Sequence, residues 1–397
     1  MPIDLLPAPR VLPERGHTPQ TLPPEVAVGS LEARILVAVA FLLFVGLLFV
    51  YSASFPLAQR LYGDPFAFLI RQLLGAGLGL LSLLIFWRVD YHLWQRIDDL
   101  LLLGAFLASV LTLLPGVSQG QRWLQLGPLS FQPTEFGKLA LVLYVASSLV
   151  RRGERIGSFK EGVFPYLAVF GAFGVVFALQ PDFGMFVLYG ALLTFLLYAG
   201  GVPWRLLFGT ALAVLPVGGL MLLAAPYRLG RLLAFFNPVA YRETYGYQVY
   251  QSLMAIGAGG VWGRGLGASR AKLFYLPAAH NDFAFAVVAE ETGFVGALIL
   301  IGLLACLVVL GFRAAARAPD RLGALYALGS SFILGFQTLL NLGVVVGVVP
   351  VTGLTLPFVS YGGSSLAVTL ALTGLLLGVA RQTQPESGLS PIREVAG

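Results

Sequence analysis

A histidine and three carboxylates lie close together at the start of a long apolar run. The segment KLFYLPAAHNDFAFAVVAEETG (272–293) contains His280, Asp282, Glu290 and Glu291. Ionised side chains are costly at the mouth of an apolar helix, so carboxylates placed there are expected to have a use. A carboxylate in such a place can accept a proton as a general base. The sequence therefore predicts a catalytic mouth around Asp282.

Asp282 also fits a simpler role, as the N-cap of a helix that begins at Phe283. The helix dipole would then keep it ionised and lower its basicity, whereas burial would raise its pKa. The sequence leaves this balance open. Glu290, eight residues further on, falls near the same helix face. We take Asp282 as the reactive candidate and assign Glu290 and Glu291 to supporting the helix interior.

Other ionisable residues lie at the edges of apolar runs. Glu135 and Lys138 are three residues apart, so they share a helix face and can pair, either as a structural ion pair or as part of a substrate cavity. Arg71 begins another run, where an interfacial snorkelling arginine is the simpler interpretation. Asp182 follows Pro181 at a tight turn, where helix capping explains it equally well. Each is a candidate site residue with a structural alternative.

Near the carboxyl terminus, Asn341 precedes the segment VPVTGLTLPFVSYGGSS (349–365). Its prolines and paired glycines break helical structure and expose backbone groups. Irregular backbone at membrane depth is tolerated only against protein or a water-filled cavity. This segment therefore also indicates a cavity.

The interval 226–282 is strongly basic, with six cations: Arg228, Arg231, Arg242, Arg264, Arg270 and Lys272. One interpretation is a solvated external loop anchored by interfacial tyrosine and tryptophan side chains. The other is a cationic platform for a phosphate-bearing lipid, since arginine suits recognition of phosphate oxygens. The glycine-rich run AIGAGGVWGRGLG (255–267) has neither the strand–turn–helix setting nor the ending of a nucleotide-binding loop, so nucleotide binding is not expected.

Composition sets the class of protein. The 397 residues are 57% hydrophobic and 11% charged, with mean hydropathy +0.84. Soluble globular proteins carry about 25% charged residues, so repeated apolar runs indicate one polytopic membrane domain. The single cysteine and three scattered histidines provide no disulfide framework and no zinc site. The basic residues fall between apolar runs, which favours membrane topology and anionic lipid over nucleic acid.

The sequence predicts an all-α fold of about ten transmembrane helices, with a long extracytoplasmic loop (226–282) between the seventh and eighth. A proline-rich tail (1–33) precedes the membrane domain (34–382), and a short tail (383–397) follows it; the first tail is expected to be disordered. The predicted spans are 35–52, 69–87, 99–114, 134–150, 162–180, 183–201, 205–225, 283–312, 322–348 and 362–380.

The distribution of Lys and Arg predicts the orientation. Fifteen lie on the face that carries both termini, four lie in the short loops opposite, and six lie in the long loop. Long loops translocate largely regardless of charge, so the short loops decide. Both termini are therefore expected in the cytoplasm, and 226–282 outside.

Five motifs occur in order across almost the whole membrane region: QRWLQLGPLSFQPTEFGKL (121–139), QPDFG (180–184), YGYQVYQSLMAIGAGGVWGRGLG (245–267), LPAAHNDFAFAVVAEETG (276–293) and LPFVSYGGSS (356–365). Together they resemble the SEDS proteins, the FtsW and RodA group. The wording of KLFYLPAAHND is nearer to FtsW, associated with division, than to RodA, associated with elongation. Asn281 stands where the family often has threonine, and Phe183 where leucine is common.

The resemblance implies a glycosyltransferase of the bacterial inner membrane that polymerises lipid II into peptidoglycan glycan strands. It also implies a class B penicillin-binding protein as the partner that supplies the transpeptidase. The family's catalytic aspartate falls on Asp282, and His280 belongs to the same motif. Its further site positions fall on Arg71, Arg122, Glu135, Lys138 and Asp182.

These inferences combine into one mechanism. The 4-hydroxyl of an acceptor GlcNAc attacks the anomeric carbon of a donor MurNAc and displaces undecaprenyl diphosphate with inversion. Asp282 would accept or orient the hydroxyl proton. Arg71, Arg122 and the basic residues of the long loop, with Arg228, Arg231 and Lys272 as candidates, would stabilise the diphosphate. A divalent cation, Mg²⁺ or Mn²⁺, is compatible with a diphosphate, although the sequence shows no all-protein metal cage.

Two other functions fit a polar cavity among many helices. A lipid II flippase would use such a cavity for passage, and a scaffold for a penicillin-binding protein would need no chemistry. The sequence lacks clear inverted repeats, and it has too many polar motifs clustered on the external side for a simple scaffold. The polymerase is therefore favoured, followed by the flippase and then the scaffold.

Overall fold

The structure is a computed structural model, and it describes residues 30–383 apart from 117, 127–128, 224–225 and 238. Several side chains within 119–129 and 211–228 also lie outside the described part. The two predicted tails, 1–33 and 383–397, lie almost entirely outside it as well. The helices of the described residues are α1 (Leu31–Tyr62), α2 (Ala67–Arg88), α3 (Asp98–Leu111), α4 (Pro133–Arg152), α5 (Phe159–Gly162), α6 (Phe164–Leu179), α7 (Phe183–Ala199), α8 (Trp204–Leu223), α9 (Pro226–Phe236), α10 (Tyr247–Gly259), α11 (Ala284–Ala316), α12 (Arg321–Val345) and α13 (Gly363–Gln382).

The fold is predominantly helical, which confirms the predicted fold class. Each predicted span overlaps one of the longer helices: α1–α4, α6–α8 and α11–α13. Within the described residues, five helices (α1, α2, α11, α12 and α13) are long and apolar enough to cross a membrane, and α6 and α7 are shorter apolar helices. The architecture is that of a multi-pass membrane protein, and the number of ten crossings stays a prediction.

Local signals fix where several helices begin and end. Ser30 caps α1 by accepting a hydrogen bond from the Ala33 N–H at 3.1 Å. Gly63 ends that helix in the left-handed conformation, with φ of 69°. Pro133 occupies the first turn of α4, where its missing N–H is no loss. Asp320 caps α12 through the Gly323 N–H at 2.8 Å.

A small antiparallel sheet joins α3 to α4, in the interval between the predicted spans 99–114 and 134–150. Its strands are β1 (Ser118–Gln119), β2 (Trp123–Leu126) and β3 (Leu129–Phe131), in the order β1-β2-β3. Register is set by Gln119 opposite Trp123 and by Leu124 opposite Phe131. Strands this short carry little periodicity, so the sequence did not reveal them.

The interval 226–282 is also more ordered than the predicted loop. It contains α9 and α10, followed by a single wide turn over Ala271–Tyr275. The helix α10 packs against α11 and α12. The interval therefore packs against the bundle through α10, while many of its other residues stay exposed.

The helix α11 is broken at Gly293, which has φ of 69° and ψ of −168°. The break leaves main-chain groups of α11 without helical partners, and the stretch 260–265 supplies new ones. Arg264 and Gly265 donate their N–H groups to the carbonyls of Glu290 and Glu291, both at 3.0 Å. In return, the N–H of the residue after Gly293 donates to the Gly260 carbonyl at 2.9 Å. Unpaired backbone groups are costly in an apolar setting, so this pairing makes the break tolerable.

One end of the bundle gathers charged residues that the topology prediction places in the cytoplasm. Arg151 pairs with Asp98 at 2.9 Å, and Arg381 donates to the Arg88 carbonyl at 3.2 Å. Asp320 accepts a hydrogen bond from the Tyr91 hydroxyl. These contacts tie together the ends of α2, α4, α12 and α13 and the start of α3. The segment around Asp282 lies at the other end of the bundle, just before the first residue of α11.

Candidate active site

A cavity of about 630 Å³ opens beside Asp282. Its walls come from the start of β2, the turn between α6 and α7, the helices α7, α9 and α12, the residues just before α11, and the irregular segment after α12. The lining residues are Arg122, Trp123, Pro181, Phe183, Val187, Arg231, Leu232, Asn281, Asp282, Leu340 and Val349–Gly353. Three residues singled out from the sequence therefore share one cavity: a carboxylate, Asp282, and two arginines, Arg122 and Arg231.

Asp282 does not cap the following helix, so that interpretation is wrong. The helix α11 begins at Ala284, its N-cap position is Phe283, and no side chain caps it. The Asp282 carboxylate instead faces the cavity, with Oδ2 3.8 Å from the point where a Cβ would stand on Gly353. Gly353 has φ of 76°, which favours glycine and leaves the carboxylate room.

The surroundings of Asp282 raise its basicity. The pKa of its carboxyl is raised from 3.8 to about 6, chiefly by burial and to a smaller extent by the charge of Asp182. The positive charges of Arg231 and Arg122 act in the opposite direction and lower the pKa. The balance that the sequence left open thus favours burial, and Asp282 has a pKa suited to a general base near neutral pH.

Arg122 is held at the rim of the cavity by the turn between α6 and α7. Its Nε donates to the Gln180 carbonyl at 2.7 Å, and Nη2 donates to the Pro181 carbonyl. Its Nη1 lies 3.8 Å from Oδ2 of Asp182. About a third of the side chain (33%) stays exposed, so the guanidinium is oriented by the turn and can still meet a ligand.

Asp182 lies behind Arg122 and does not line the cavity. It caps α7 by accepting a hydrogen bond from the Met185 N–H at 3.2 Å, which is the structural role weighed from the sequence. Burial raises the pKa of its carboxyl, and Arg122 partly offsets that increase. Asp182 therefore orients Arg122 and adds negative potential near Asp282.

Glu135 and Lys138 form a buried ion pair, with Nζ 2.5 Å from Oε2. Lys138 also donates to Oε1 of Gln337 at 2.8 Å. Gln337 in turn donates to the Thr355 carbonyl at 2.9 Å. The pair thus connects α4 to α12 and to the irregular segment behind the cavity wall. Neither residue is part of the lining.

Of the basic residues in 226–282, Arg231 reaches the cavity, from the helix α9. Arg228 belongs to the same helix, and its side chain lies outside the described part of the structure. Arg242 is exposed and lies 3.8 Å from Glu243, away from the cavity. Of the cationic platform predicted from the sequence, Arg231 is therefore the basic residue that lines the cavity within the described part of the structure.

Lys272 occupies a different place from the one predicted. Its Nζ lies 2.7 Å from Oε1 of Glu291 and 3.0 Å from the Ser52 hydroxyl, with 1% of the side chain exposed. The ammonium is thus enclosed between α1 and α11 and does not line the cavity. We revise its role from substrate binding to an internal ion pair.

Glu290 and Glu291 have internal partners, which lie outside α11 itself. Glu290 accepts hydrogen bonds from the Ser269 hydroxyl at 2.6 Å and from Arg264 at 3.0 Å. It also accepts from the Arg270 N–H at 3.0 Å. These carboxylates fix the stretch before the wide turn against α11, so their charge is used within the protein.

His280 and Arg71 lie in an aromatic cluster beside α1 and α2. The His280 ring is 5.0 Å from the ring of Phe68 and 5.7 Å from that of Tyr361. Burial lowers the pKa of His280 to about 4, so the ring is neutral at pH 7. Arg71 donates to the Tyr62 hydroxyl at 3.0 Å and lies over that ring. Neither residue lines the cavity.

Three polar residues around the cavity were not assigned a site role from the sequence: Gln337, Thr352 and Asn281. Gln337 lies inside an apolar helix, where a buried amide is a recognisable signal. Thr352 and Asn281 line the cavity wall and are ordinary in sequence. Among the described residues, no group of three or more His, Cys, Asp or Glu side chains could hold a metal ion.

Comparisons with known proteins find relatives along most of the chain. The Stage V sporulation protein E of Bacillus subtilis (strain 168) is 40% identical over 363 residues, 89% of this chain and 98% of that protein. A protein named probable peptidoglycan glycosyltransferase FtsW, from Geobacter sp. (strain M18), is 37% identical over 350 residues, 87% of this chain and 95% of that protein.

Solved structures share the fold. A chain from work on the structural coordination of polymerization and crosslinking by a peptidoglycan synthase complex matches with TM-score 0.72 and 35% identity, covering 88% of this chain and 97% of that one. The rod shape determining protein RodA of Thermus thermophilus matches with TM-score 0.64 and 30% identity, covering 89% and 97%. The model of the FtsW/RodA/SpoVE family, described as cell cycle proteins, matches residues 33–385. The chain therefore belongs to the FtsW/RodA/SpoVE family.

Proposed function

We propose that this protein is a peptidoglycan glycosyltransferase that polymerises lipid II into glycan strands, with Asp282 as the general base. The observation that carries the proposal is the cavity shared by Asp282, Arg122 and Arg231. A buried carboxylate beside two guanidiniums provides both a proton acceptor and a cationic site for a diphosphate. The relatives named probable peptidoglycan glycosyltransferase FtsW support the same activity.

The reaction uses these groups in one displacement. The acceptor GlcNAc 4-hydroxyl gives its proton to Asp282 as its oxygen attacks the anomeric carbon of the donor MurNAc. The bond from that carbon to the diphosphate oxygen breaks, and undecaprenyl diphosphate leaves from the opposite face, so the configuration inverts. Arg122 and Arg231 stabilise the charge that develops on the leaving group.

We further propose the setting of this reaction. The cavity opens on the extracytoplasmic side of the bacterial inner membrane, with both chain termini in the cytoplasm. The charged end of the bundle formed by Arg151, Asp98 and Arg381 fits the cytoplasmic side. The partner is a class B penicillin-binding protein, in line with the structural neighbour from a peptidoglycan synthase complex.

A polymerisation assay in detergent tests the activity. Purified protein given lipid II in detergent micelles is expected to form glycan polymer, resolved by gel electrophoresis. A detergent micelle does not separate two compartments, so a flippase would form no glycan polymer under these conditions. Absence of polymer with protein that is folded and complexed with its transpeptidase partner would contradict the proposal and favour the transporter.

The pKa of Asp282 predicts the pH dependence. A general base must be ionised, and the pKa of this carboxyl is about 6. The polymerisation rate is therefore expected to fall about tenfold for each pH unit below about 6 and to level off above about 7. Initial rates measured across that range, with a melting curve at each pH to exclude acid unfolding, check this. A rate that stays constant or rises as the pH falls would show that Asp282 is not the base.

A further inference from the structure

The helix α12 carries two buried amides one turn apart, Gln337 and Asn341, each 1% exposed. Residues four apart lie on the same helix face. Both donate to the irregular segment that follows α12: Gln337 to the Thr355 carbonyl at 2.9 Å, and Asn341 to the Leu354 carbonyl at 2.7 Å. The two amides therefore hold two adjacent residues of that segment.

Asn341 makes a second contact that reaches the candidate base. Its Nδ2 donates to the main-chain carbonyl of Asp282 at 2.8 Å. Because both partners of this nitrogen are carbonyl oxygens, the orientation of the amide is unambiguous: each takes one of its two hydrogens. The single side chain thus ties Asp282 to Leu354, next to the cavity wall at Val349–Gly353.

The oxygen atom of the Asn341 amide shows that this arrangement has a cost in stability. Among the described residues, Oδ1 of Asn341 is buried with no hydrogen-bond partner. An unsatisfied buried acceptor destabilises the fold. A leucine, which branches at the same atom, would avoid that cost but would leave the carbonyls of Asp282 and Leu354 without a donor. The side chain is thus suited to holding two carbonyls rather than to packing.

Asp282 needs such a support because it lies outside regular structure. It precedes the first residue of α11, Ala284, and receives no capping contact from it. A general base must lie within hydrogen-bond reach of the proton it removes, and a displacement of about 1 Å can cost about 10²-fold in rate. A fixed main chain at residue 282 therefore bears directly on the rate.

We propose that Asn341 is a positioning residue for the glycosyl transfer, which holds the main chain of Asp282 against the cavity wall. This rests on the proposed function of Asp282. Asn341 acts through Asp282 and does not touch the substrate. Its loss therefore lowers turnover and leaves substrate affinity nearly unchanged.

The test is Asn341→Leu, which keeps the branching of the side chain and removes both donor hydrogens, compared with Asn341→Ser, which keeps one donor. Purified proteins are assayed for polymerisation over a range of lipid II concentrations. For Asn341→Leu, turnover at saturating lipid II is expected to fall at least about tenfold, with half-saturation changed by less than about twofold. The turnover of Asn341→Ser is expected to lie between that of Asn341→Leu and that of the wild type.

Thr338→Val is the matched control, because Thr338 lies on the same helix, is buried and donates only to the Leu334 carbonyl of its own turn at 2.7 Å. It is expected to polymerise at the wild-type rate. If Asn341→Leu is not recovered folded, Asn341→Ser carries the test alone. Wild-type turnover in either folded variant, or a loss confined to half-saturation, would overturn the inference. Wild-type turnover in Asp282→Asn would instead remove the proposed function on which it rests.

Discussion

Asp282→Asn is expected to lower the rate of lipid II polymerisation by about 10²–10⁴-fold, which is the usual contribution of a general base. Asparagine has nearly the same shape and keeps the main-chain carbonyl that Asn341 holds at 2.8 Å. It cannot accept the proton of the attacking hydroxyl. Because the buried carboxylate is replaced by a neutral group, the melting midpoint is expected to stay equal or rise. Initial rates of the purified variant with lipid II measure the first effect, and thermal melting measures the second.

Asp64→Asn is the matched control. Asp64 is exposed in the connection between α1 and α2, and its Oδ1 accepts a hydrogen bond from the Phe66 N–H at 2.9 Å. Asparagine can accept the same bond, so both rate and melting midpoint should match the wild type. An Asp282→Asn protein that polymerises as fast as the Asp64→Asn protein would refute the role of Asp282 as base.

Lys272→Met is expected to cause the largest loss of stability. Lys272 and Glu291 pair at 2.7 Å with side chains 1% and 0% exposed. Removing one partner of a buried pair leaves the other charge uncompensated and typically costs about 3–5 kcal/mol. The Ser52 hydroxyl, which donates to Glu291 at 2.7 Å, compensates only part of the charge. The melting midpoint in detergent should therefore drop by many degrees.

A second substitution separates the lost charge pair from lost packing. Lys272→Met combined with Glu291→Gln removes both charges, so much of the melting midpoint should return. Arg242→Met is the control, since Arg242 and Glu243 are 55% and 86% exposed at 3.8 Å and such surface pairs contribute little. If the melting midpoint of Lys272→Met equalled that of Arg242→Met, the Lys272–Glu291 pair would have no structural role.

The sequence predicted the helical class and singled out the carboxylate that lines the cavity, because both depend on local signals. Long apolar runs report helices directly, and Asp282 is conspicuous as a charge at the edge of such a run. The same local signals gave the wrong role, substrate binding, for Lys272. They cannot show that Glu291 on α11 lies 2.7 Å from the ammonium of Lys272 and pairs with it. Whether a cation serves a ligand or an internal carboxylate is decided by tertiary contacts.

The basic residues of 226–282 also show that tertiary contacts decide the role of a cation. The sequence does not show which of the six cations in 226–282 meets the cavity: the helix α9 brings Arg231 to it, while Arg264 pairs with Glu290 at 3.0 Å. The helices within that interval were missed because its glycines and polar residues suggested a loop. Burial against α11 and α12, which stabilises α10, is a property of the folded bundle.

The break of α11 at Gly293 determines how deeply the interval 226–282 enters the bundle. Nine residues separate Ala284 from Gly293, so at 1.5 Å per residue the break lies about 14 Å along the axis from the start of the helix. The stretch 260–265 reaches that depth to pair with the carbonyls of Glu290 and Glu291. It therefore supplies the main-chain partners of α11 on both sides of the break. A short linker in place of 226–282 would leave α11 with unpaired main-chain groups on both sides of Gly293, so this helix and the stretch 260–265 form one folding unit.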